Sequence, residues 1–267
     1  MLLDCHTHIG KKTIIASAAD LVKSMDDSNI DKSLVFAGKI NDQATQILLN
    51  DISPFKNRLY GIGSVSPLTA FEHESKNHVL GYLEECFATQ KIYGLKFYPG
   101  YEWFYPSDAS VRDFLNLCIK YNKPAIFHSG DCFNGVSGAK LKYAHPLNFD
   151  DLAVEMPELK IIIAHMGYPW IRDAAEVCYK NKNVYADTSG FVYGKFTEND
   201  LVNYKNVINE FITVSGGTGK LIFGTDWPIS SQESYVKSLT DVLSCLNATA
   251  EYGEIMGSRA AELFGIV

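Results

Sequence analysis

The stretch "LLDCHTH" at residues 2–8 combines a short apolar run with two histidines one residue apart. Side chains alternate across a β-strand, so Asp4, His6 and His8 share one face if this stretch is a strand. Two imidazoles about 7 Å apart on one face can bind the same metal ion. They can equally be hydrogen-bonded residues at a strand end, and the stretch by itself leaves both interpretations open.

Further apolar, β-rich runs follow this stretch, and segments with helical periodicity separate them. Several runs are continuously apolar, as is typical of parallel strands buried on both faces. A strand followed by a helix, repeated eight times, predicts a single (β/α)8 barrel of the TIM type with its active site at the C-terminal ends of the strands. This one domain spans residues 1–267. The predicted strands are residues 2–8, 33–37, 59–65, 92–98, 124–128, 160–165, 183–188 and 220–226.

Two intervening segments carry apolar residues at the i, i+3, i+4 and i+7 spacing of an amphipathic helix, and a third has a similar pattern. Two long connections, 99–107 and 129–148, each follow a predicted strand and therefore lie at the end of the barrel where active sites are built. The helices are predicted around residues 111–118, 171–178 and 201–211.

The composition excludes several classes of protein. A net charge of −7 disfavours a nucleic-acid-binding protein. No apolar run approaches the roughly 18 residues of a membrane span, and no signal peptide precedes the first strand. Six scattered cysteines without a paired spacing predict reduced thiols in the cytoplasm. We therefore expect a small-molecule substrate, no nucleic-acid or membrane partner, and an oligomeric state that the sequence leaves open, a homo-oligomer included.

Polar side chains that can bind metals or protons lie at or near the ends of most predicted strands. They are His6, His8, Lys96, His128, His165 and Asp226. Because the C-terminal ends of parallel strands meet at one end of a barrel, we expect these side chains to form one ring. Each costs desolvation free energy unless it is paired or bound to a metal, so the ring predicts a metal site.

Several of these motifs resemble the amidohydrolase superfamily, and more closely the compact amidohydrolase-related group that contains aminocarboxymuconate-semialdehyde decarboxylase. The resemblance is carried by D-x-H-x-H in the first strand, "FHSGD" around His128, "IIIAHMG" around His165 and "FGTDWP" around Asp226. It extends through nearly the whole chain to "MGSRAAELF", where Ser258 stands in place of the more usual asparagine.

The resemblance implies a divalent ion, most often zinc, with one or two ions per chain. Its implied ligands are His6, His8, His128 and Asp226. Such an ion lowers the pKa of bound water, and Asp226 would orient the nucleophile and pass its proton to a leaving group. His165 would bind a second ion or polarise the substrate carbonyl.

Three roles are open for Lys96. In many two-metal members of the superfamily a lysine on the fourth strand is carboxylated and bridges both ions. Lys96 can instead stay an ammonium that binds an anionic group of the substrate, or form a salt bridge with Asp4 or another carboxylate at the mouth. Its "GLKFYP" context resembles the compact group and favours one ion.

Residues around the predicted mouth are candidates for substrate contacts. We predict substrate binding by Tyr98, Trp103 and Trp170, although aromatic side chains in such loops also commonly pack on their own loop. Further candidates for hydrogen bonds to a ligand or to a neighbouring site residue are Asp187, Ser189 and His145. The remaining histidines, His73 and His78, are expected to be solvated.

Hydrolysis of an amide, ester or lactone bond of a small molecule is the expected function. The alternative is non-oxidative decarboxylation of an unsaturated or aromatic acid, which members of the resembled group perform with the same ligands. Decarboxylation needs cationic groups for the acid, and none of the four arginines ends a predicted strand, which favours hydrolysis. A TatD-type nuclease is disfavoured because that family has a glutamate in place of Lys96. The non-enzymatic alternative is a barrel with a vestigial site.

Overall fold

The computed structural model describes residues 1–11, 15–37, 43–68 and 76–266, which form an α/β fold. The strands in these ranges are β1 (Leu3–Lys11), β2 (Ile15–Ala16), β3 (Lys32–Ala37), β4 (Leu59–Ser64), β5 (Ile92–Phe97), β6 (Ala125–Phe127), β7 (Ile161–Ile163), β8 (Val184–Asp187) and β9 (Leu221–Ile222). The helices are α1 (Ala18–Asp27), α2 (Ala44–Ile52), α3 (Lys76–Ala88), α4 (Ala109–Lys120), α5 (Leu141–Ala144), α6 (Asn148–Glu155), α7 (Ile171–Lys180), α8 (Glu198–Ser215), α9 (Gln232–Cys245) and α10 (Arg259–Phe264). Short 3₁₀ turns cover Ser53–Phe55, Ala164–Gly167 and Thr218–Lys220, and a π turn covers Glu254–Ser258.

Within the described ranges, nine strands form one curled sheet in the order β2-β1-β3-β4-β5-β6-β7-β8-β9. β2 pairs antiparallel with β1, and every later neighbour pairs in parallel. The eight parallel strands coincide with the eight predicted runs, so this prediction is confirmed. β2 was not predicted, because two residues are too few to show an alternating pattern.

Backbone hydrogen bonds join the two ends of this sheet. The N–H of Cys5 donates to the carbonyl oxygen of Phe223 over 2.9 Å, and that of His8 donates to Trp227 over 2.7 Å. In the opposite direction, the N–H of Asp226 donates to the carbonyl oxygen of His6 over 2.8 Å. The segment that follows β9 therefore lies beside β1, although more than two hundred residues separate them in the chain.

The inside of the curled sheet is filled by apolar side chains from successive strands and from α10. Lys123 and Lys160, which precede β6 and β7, donate to the carbonyl oxygens of Phe264 and Leu263 in α10 over 2.5 and 3.3 Å. These bonds show that α10 lies at the N-terminal ends of the strands. The opposite end, where the strands finish, is the one that carries the polar residues. The cluster inside the sheet includes Leu3, Leu34, Ile62, Ile126, Ile162, Ile222, Ala260 and Phe264.

The helices around the sheet follow the predicted periodicity. In α7 the buried residues include Ile171, Ala174, Ala175 and Cys178, which lie on one face. α4 and α8 likewise cover the other two predicted helices. The long 129–148 connection contains the short helix α5. No helix in the described part of the chain combines the length and the apolar character that crossing a bilayer requires.

Candidate metal and catalytic site

Histidine and carboxylate side chains converge where the parallel strands end. His6 and His8 lie in β1 and point to the same face, because two residues separate equivalent positions of a strand. Asp226 follows β9 and is brought to them by the backbone hydrogen bonds between the sheet ends. Its backbone has a φ of 67°, in the left-handed region that non-glycine residues adopt rarely, Asn and Asp more often than most.

His6, His8 and Asp226 form a possible metal site. One ligand atom from each lies within 4.8 Å of the others. The Asp226 Oδ1 atom is 3.2 Å from His8 Nε2 and 3.7 Å from His6 Nε2. His6 Nε2 is buried and has no hydrogen-bond partner among the residues described. A buried nitrogen without a partner costs free energy, and coordination to a cation would recover it. Two imidazoles and a carboxylate fit a zinc ion that keeps a position open.

The other ring nitrogen of His6 is fixed by Asp187. His6 Nδ1 lies 2.8 Å from Asp187 Oδ2, so the proton is on Nδ1 and the Nε2 lone pair is free for a ligand. Burial, together with the charge of Lys96, lowers the pKa of His6 to about 3, so its imidazole is neutral at neutral pH. A neutral imidazole is the form that binds metals.

Asp187 also holds His165 and Ser189. Its Oδ1 atom accepts the backbone N–H groups of His165 and Ser189, both over 3.0 Å, as well as the Ser189 hydroxyl. Burial opposes ionisation of Asp187, but the neighbouring His6 holds the pKa of this carboxyl below its ordinary value. Three of the four donors share Oδ1, and Oδ2 accepts His6 alone. His6, His165 and Asp187 form a second group of convergent donors, within which His6 and Asp187 are hydrogen-bonded to each other.

His165 sits in a strained turn at the end of β7. It has a φ of 60°, and the following Met166 has a φ of 49°. The Nδ1 atom of His165 is 2.8 Å from the Ser189 hydroxyl oxygen. A β-carbon at Gly190, which has a φ of 71°, would come within 2.4 Å of the same Nδ1 atom. The left-handed turn directs the His165 side chain toward Gly190, and the absence of a β-carbon at Gly190 makes room for the ring.

His128 lies beside this network but outside both groups of convergent donors. Its ring centroid is 5.2 Å from that of His165 and 4.7 Å from that of Tyr101. Its Nε2 atom lies 2.9 Å from the backbone carbonyl oxygen of Asp131. Burial, with the nearby His165, lowers the pKa of His128 well below its ordinary range. The role of His128 as a metal ligand stays a prediction.

Lys96 is buried, with 1% of its surface exposed, and its Nζ atom has no hydrogen-bond partner in the described part of the protein. The ammonium lies 5.1 Å from the centre of the Phe36 ring and 5.3 Å from that of Tyr98. Burial lowers the pKa of Lys96 to about 8, and the charges of Asp187 and Asp226 oppose a larger shift.

The proposed salt bridge between Lys96 and Asp4 is absent from the described residues. Asp4 is instead bonded by the Thr225 hydroxyl over 2.6 Å and by the Gln232 amide over 2.8 Å. The backbone N–H groups of His6 and Thr225 also donate to it. Burial raises the pKa of Asp4 to about 7 against these bonds. Asp4 therefore joins the segment after β9 to β1 and leaves Lys96 unpaired.

The three predicted substrate-binding aromatic residues have different surroundings. Tyr98 is half-buried beside Lys96. Trp103 is 51% exposed, and its indole N–H donates to the Gly138 carbonyl oxygen over 2.8 Å. Trp170 lies against the ring of His145 at 4.7 Å. Tyr98 thus lies beside Lys96, one of the polar residues at the strand ends. The two tryptophans instead pack on neighbouring loops.

The histidines predicted outside the strand ends are not among the groups of donors that could hold a metal. His145 Nε2 is 3.3 Å from an Asp173 carboxylate oxygen. His78 is exposed on α3, and His73 lies outside the described residues.

Glu102 is a half-buried acid that the sequence pattern does not indicate. The Ser66 hydroxyl donates to its Oε1 atom, and its Oε2 atom has no partner within the described ranges. Burial raises the pKa of Glu102 to about 7, against the Ser66 hydrogen bond. Nothing in "PGYEWFYPS" distinguishes this glutamate from a solvated loop residue, because its burial results from contacts between separate loops.

A family model described as amidohydrolase matches residues 63–266 of the chain. None of the curated proteins compared with the chain matches it. Three solved structures are similar over almost their whole length. A probable 2-pyrone-4,6-dicarboxylic acid hydrolase from Acinetobacter baumannii with citric acid bound is 18% identical, with a TM-score of 0.69 and 99% of both chains covered.

The second, an amidohydrolase from Burkholderia multivorans with bound zinc, is 15% identical, with a TM-score of 0.72 and all of both chains covered. The third, 2,6-dihydroxybenzoate decarboxylase from Rhizobium, is 15% identical, with a TM-score of 0.70, and 99% of this chain and 98% of that chain are covered. At these identities the likeness concerns the fold alone, and the similar structures include hydrolases and decarboxylases.

We expect the Gly190→Ala substitution to displace the His165 ring, because the added methyl group meets its Nδ1 atom. Gly194→Ala is the matched control, since Gly194 has a similar φ of 73° and nothing within 4 Å of the added carbon. Both variants pay the left-handed backbone cost of about 1 kcal/mol, and Gly190→Ala loses additional free energy of unfolding. Denaturant titration and a crystal structure of each variant measure this. Equal losses with an unmoved His165 ring would contradict it.

We expect stability to depend on pH through Glu102. Its pKa is about 7 in the folded state and about 4.5 ordinarily, so the folded protein binds this proton more tightly than the unfolded chain. The stabilisation is complete below about pH 4.5 and is lost as the pH rises through 7. Glu102→Gln removes that loss, so the variant gains stability relative to the parent between pH 5 and pH 8 in urea titrations. Glu158→Gln, at an exposed carboxyl, is the comparison. A relative stability that stays constant with pH would show that Glu102 is ionised throughout.

Proposed function

Because the chain belongs to the amidohydrolase family, we propose that it is a metal-dependent hydrolase that cleaves an amide, ester or lactone bond of a small molecule. The observation that carries this proposal is the group of His6, His8 and Asp226, with a buried His6 Nε2 atom that lacks a partner among the residues described. Imidazole and carboxylate are common zinc ligands, so we propose zinc as the ion.

One ion per chain agrees better with the hydrogen bonding than two ions do. The second group of convergent donors is His6, His165 and Asp187, and in it the His6 Nδ1 and Asp187 Oδ2 atoms are already bonded to each other. We propose His128 as a further ligand because it follows β6 beside His165. In that role its Nε2 atom would have to exchange the Asp131 carbonyl oxygen for the ion.

We propose that the curled sheet is a closed (β/α)8 barrel. This proposal is supported by the three backbone hydrogen bonds between β1 and the chain after β9, and by the parallel bridge between Thr7 and Trp227. Closure explains why residues from the first and last strands share one group of donors. It also supplies the dry, enclosed mouth in which charge interactions are strong.

The proposed reaction replaces the bond between an acyl carbon and its leaving nitrogen or oxygen by a bond to water. A divalent ion supplies Lewis acidity, which favours proton loss from water and polarises a carbonyl group. Burial opposes ionisation of Asp226, but the hydrogen bond from His8 holds the pKa of this carboxyl low. Asp226 is therefore ionised, accepts the proton of the attacking water and transfers it to the leaving group.

His165 is proposed to take part through its free ring nitrogen. The Ser189 hydroxyl donates to Asp187, so its oxygen accepts the Nδ1 proton of His165. The Nε2 atom of the neutral ring is then an acceptor, suited to hold a proton of the attacking water. Donation to the substrate carbonyl would require a protonated ring, and burial lowers the pKa of His165.

Decarboxylation is the second candidate because the similar structures include a decarboxylase. The arginines give it no support, although the unpaired Lys96 ammonium is a cation near the strand ends. Each of the four is paired with a carboxylate on the outer elements, so none is available to bind an acid at the strand ends. The pairs are Arg58–Asp26, Arg112–Glu155, Arg172–Glu210 and Arg259–Glu254.

We further propose a cytoplasmic location, since scattered cysteines without a paired spacing are typical of intracellular proteins.

We expect purified protein to contain close to one zinc ion per chain, and the His6→Ala/His8→Ala double variant to contain almost none. Removing both imidazoles leaves too few ligands for a stable site. Plasma mass spectrometry of protein purified without added metal measures the content. His145→Ala, at a histidine paired with Asp173, is the matched control and keeps the ion. A double variant that folds and keeps the wild-type content would disprove the assignment.

We expect a screen of lactones, esters and amides to find hydrolysis that a chelator abolishes and zinc restores. In water enriched in ¹⁸O the acid product takes up one labelled oxygen, and no CO₂ is released. Asp226→Asn loses about 10²- to 10⁴-fold in kcat even at matched zinc content, because the proton acceptor is gone. CO₂ release from an unsaturated or aromatic acid without such hydrolysis would establish the second candidate instead.

A further inference from the structure

A series of aromatic side chains leads from the candidate site to the protein surface. The ring of Tyr101 lies 4.7 Å from that of His128, and its hydroxyl oxygen accepts the backbone N–H of Phe133 over 2.9 Å. The Phe133 ring in turn lies 6.1 Å from that of Tyr193. Tyr101, Phe133 and Tyr193, which we call the aromatic rim, come from the separate connections that follow β5, β6 and β8.

The outer part of the aromatic rim is exposed to solvent. Phe133 is 48% exposed and Tyr193 is 69% exposed. Val136, in the same connection as Phe133, is exposed as well. Exposed apolar side chains are ordinary when they are scattered singly, but a group of them beside a candidate site indicates a binding surface.

Further hydrogen bonds hold the connections that carry the exposed rings. The indole N–H of Trp103 donates to the carbonyl oxygen of Gly138, in the connection after β6, over 2.8 Å. Next to Tyr193, the N–H of Gly194 donates to the carbonyl oxygen of Ile229 over 2.8 Å. A surface that is already ordered loses less conformational entropy on binding than a mobile one. The aromatic rim is therefore suited to bind a ligand.

The charges near the aromatic rim favour an uncharged ligand group. Asp131 is exposed in the connection that also carries Phe133. Partial burial, with the charges of Asp131 and Asp226, raises the pKa of Tyr193, so its phenol stays neutral and lies within the field of both carboxylates. An anionic group bound at the rim would meet these like charges, which a neutral apolar group avoids.

We propose that the aromatic rim binds an uncharged apolar group of the substrate, an alkyl or aryl group attached beyond the bond that is cleaved. The proposal rests on the hydrolase function above and adds a substrate class, namely esters, amides or lactones that carry such a group. The contact of Tyr101 with His128 argues for the substrate as the occupant. A molecule held at the rim by one end can place its other end at the candidate site.

Two uncharged cyclic ketones test the rim, because they resemble lactones and cannot be hydrolysed. We expect the full-length protein to bind 2-pentylcyclopentanone about 10-fold more tightly than 2-methylcyclopentanone in isothermal titration, because part of the longer chain is buried. Phe133→Ser and Tyr193→Ser each lose most of this preference. Tyr179→Ser is the matched control and keeps it, since Tyr179 is 63% exposed on α7 and lies outside the rim.

The outcomes separate this inference from the hydrolase function, with the zinc content measured in the same preparation. Equal binding of the two ketones by the parent overturns the inference, and so does a preference that both rim variants keep. If the parent hydrolyses lactones without any preference for the longer chain, the function stands and the rim is wrong. If the parent contains no zinc, the function fails, and the comparison of the variants still decides the rim.

Sedimentation velocity tests a second copy of the chain as the occupant. We expect the parent and Phe133→Ser to have the same oligomeric state. A parent that sediments as a dimer and a Phe133→Ser variant that sediments as a monomer would assign the rim to an interface between copies and overturn the inference.

Discussion

The backbone hydrogen bond from the Asp226 N–H to the His6 carbonyl oxygen holds the candidate site together. It joins the last strand segment to the first and sets the Asp226 carboxylate beside His8. Asp4 strengthens the same junction, because its buried carboxyl binds the backbone and hydroxyl of Thr225. The candidate metal ligands thus come from the two ends of the sheet, and their convergence depends on the pairing of those ends. Removing one partner of such a buried hydrogen bond typically costs about 1–3 kcal/mol.

Asp187 performs a second structural task, which is to fix proton positions. By accepting the Nδ1 proton of His6, it directs the Nε2 lone pair of that ring toward Asp226 and leaves it without a partner. By binding Ser189 and the backbone of His165, it sets the tautomer of the second imidazole. The His6 Nε2 atom is thus without a partner because the hydrogen bond to Asp187 fixes the proton on Nδ1. Proteins accept such local costs mainly at functional sites.

The sequence predicts the fold better than it predicts the contacts in the site. Continuous apolar runs identify all eight parallel strands, because burial on both faces leaves a direct pattern in the sequence. The positions of His6, His8 and Asp226 at strand ends follow from the same pattern. The orientation of His128 does not follow from the sequence pattern, because its Nε2 atom is bonded to the carbonyl oxygen of Asp131, three residues away. The surroundings of Glu102 do not follow from it either, because they depend on Ser66 in a different connection.

The charges around Lys96 connect its protonation to the proposed metal site. A divalent cation bound by His6, His8 and Asp226 would use much of the Asp226 charge that now favours the Lys96 proton. The ammonium would then need another anion or would lose its proton more readily. Metal binding and the Lys96 proton would therefore oppose each other, and this coupling is reciprocal by thermodynamic necessity.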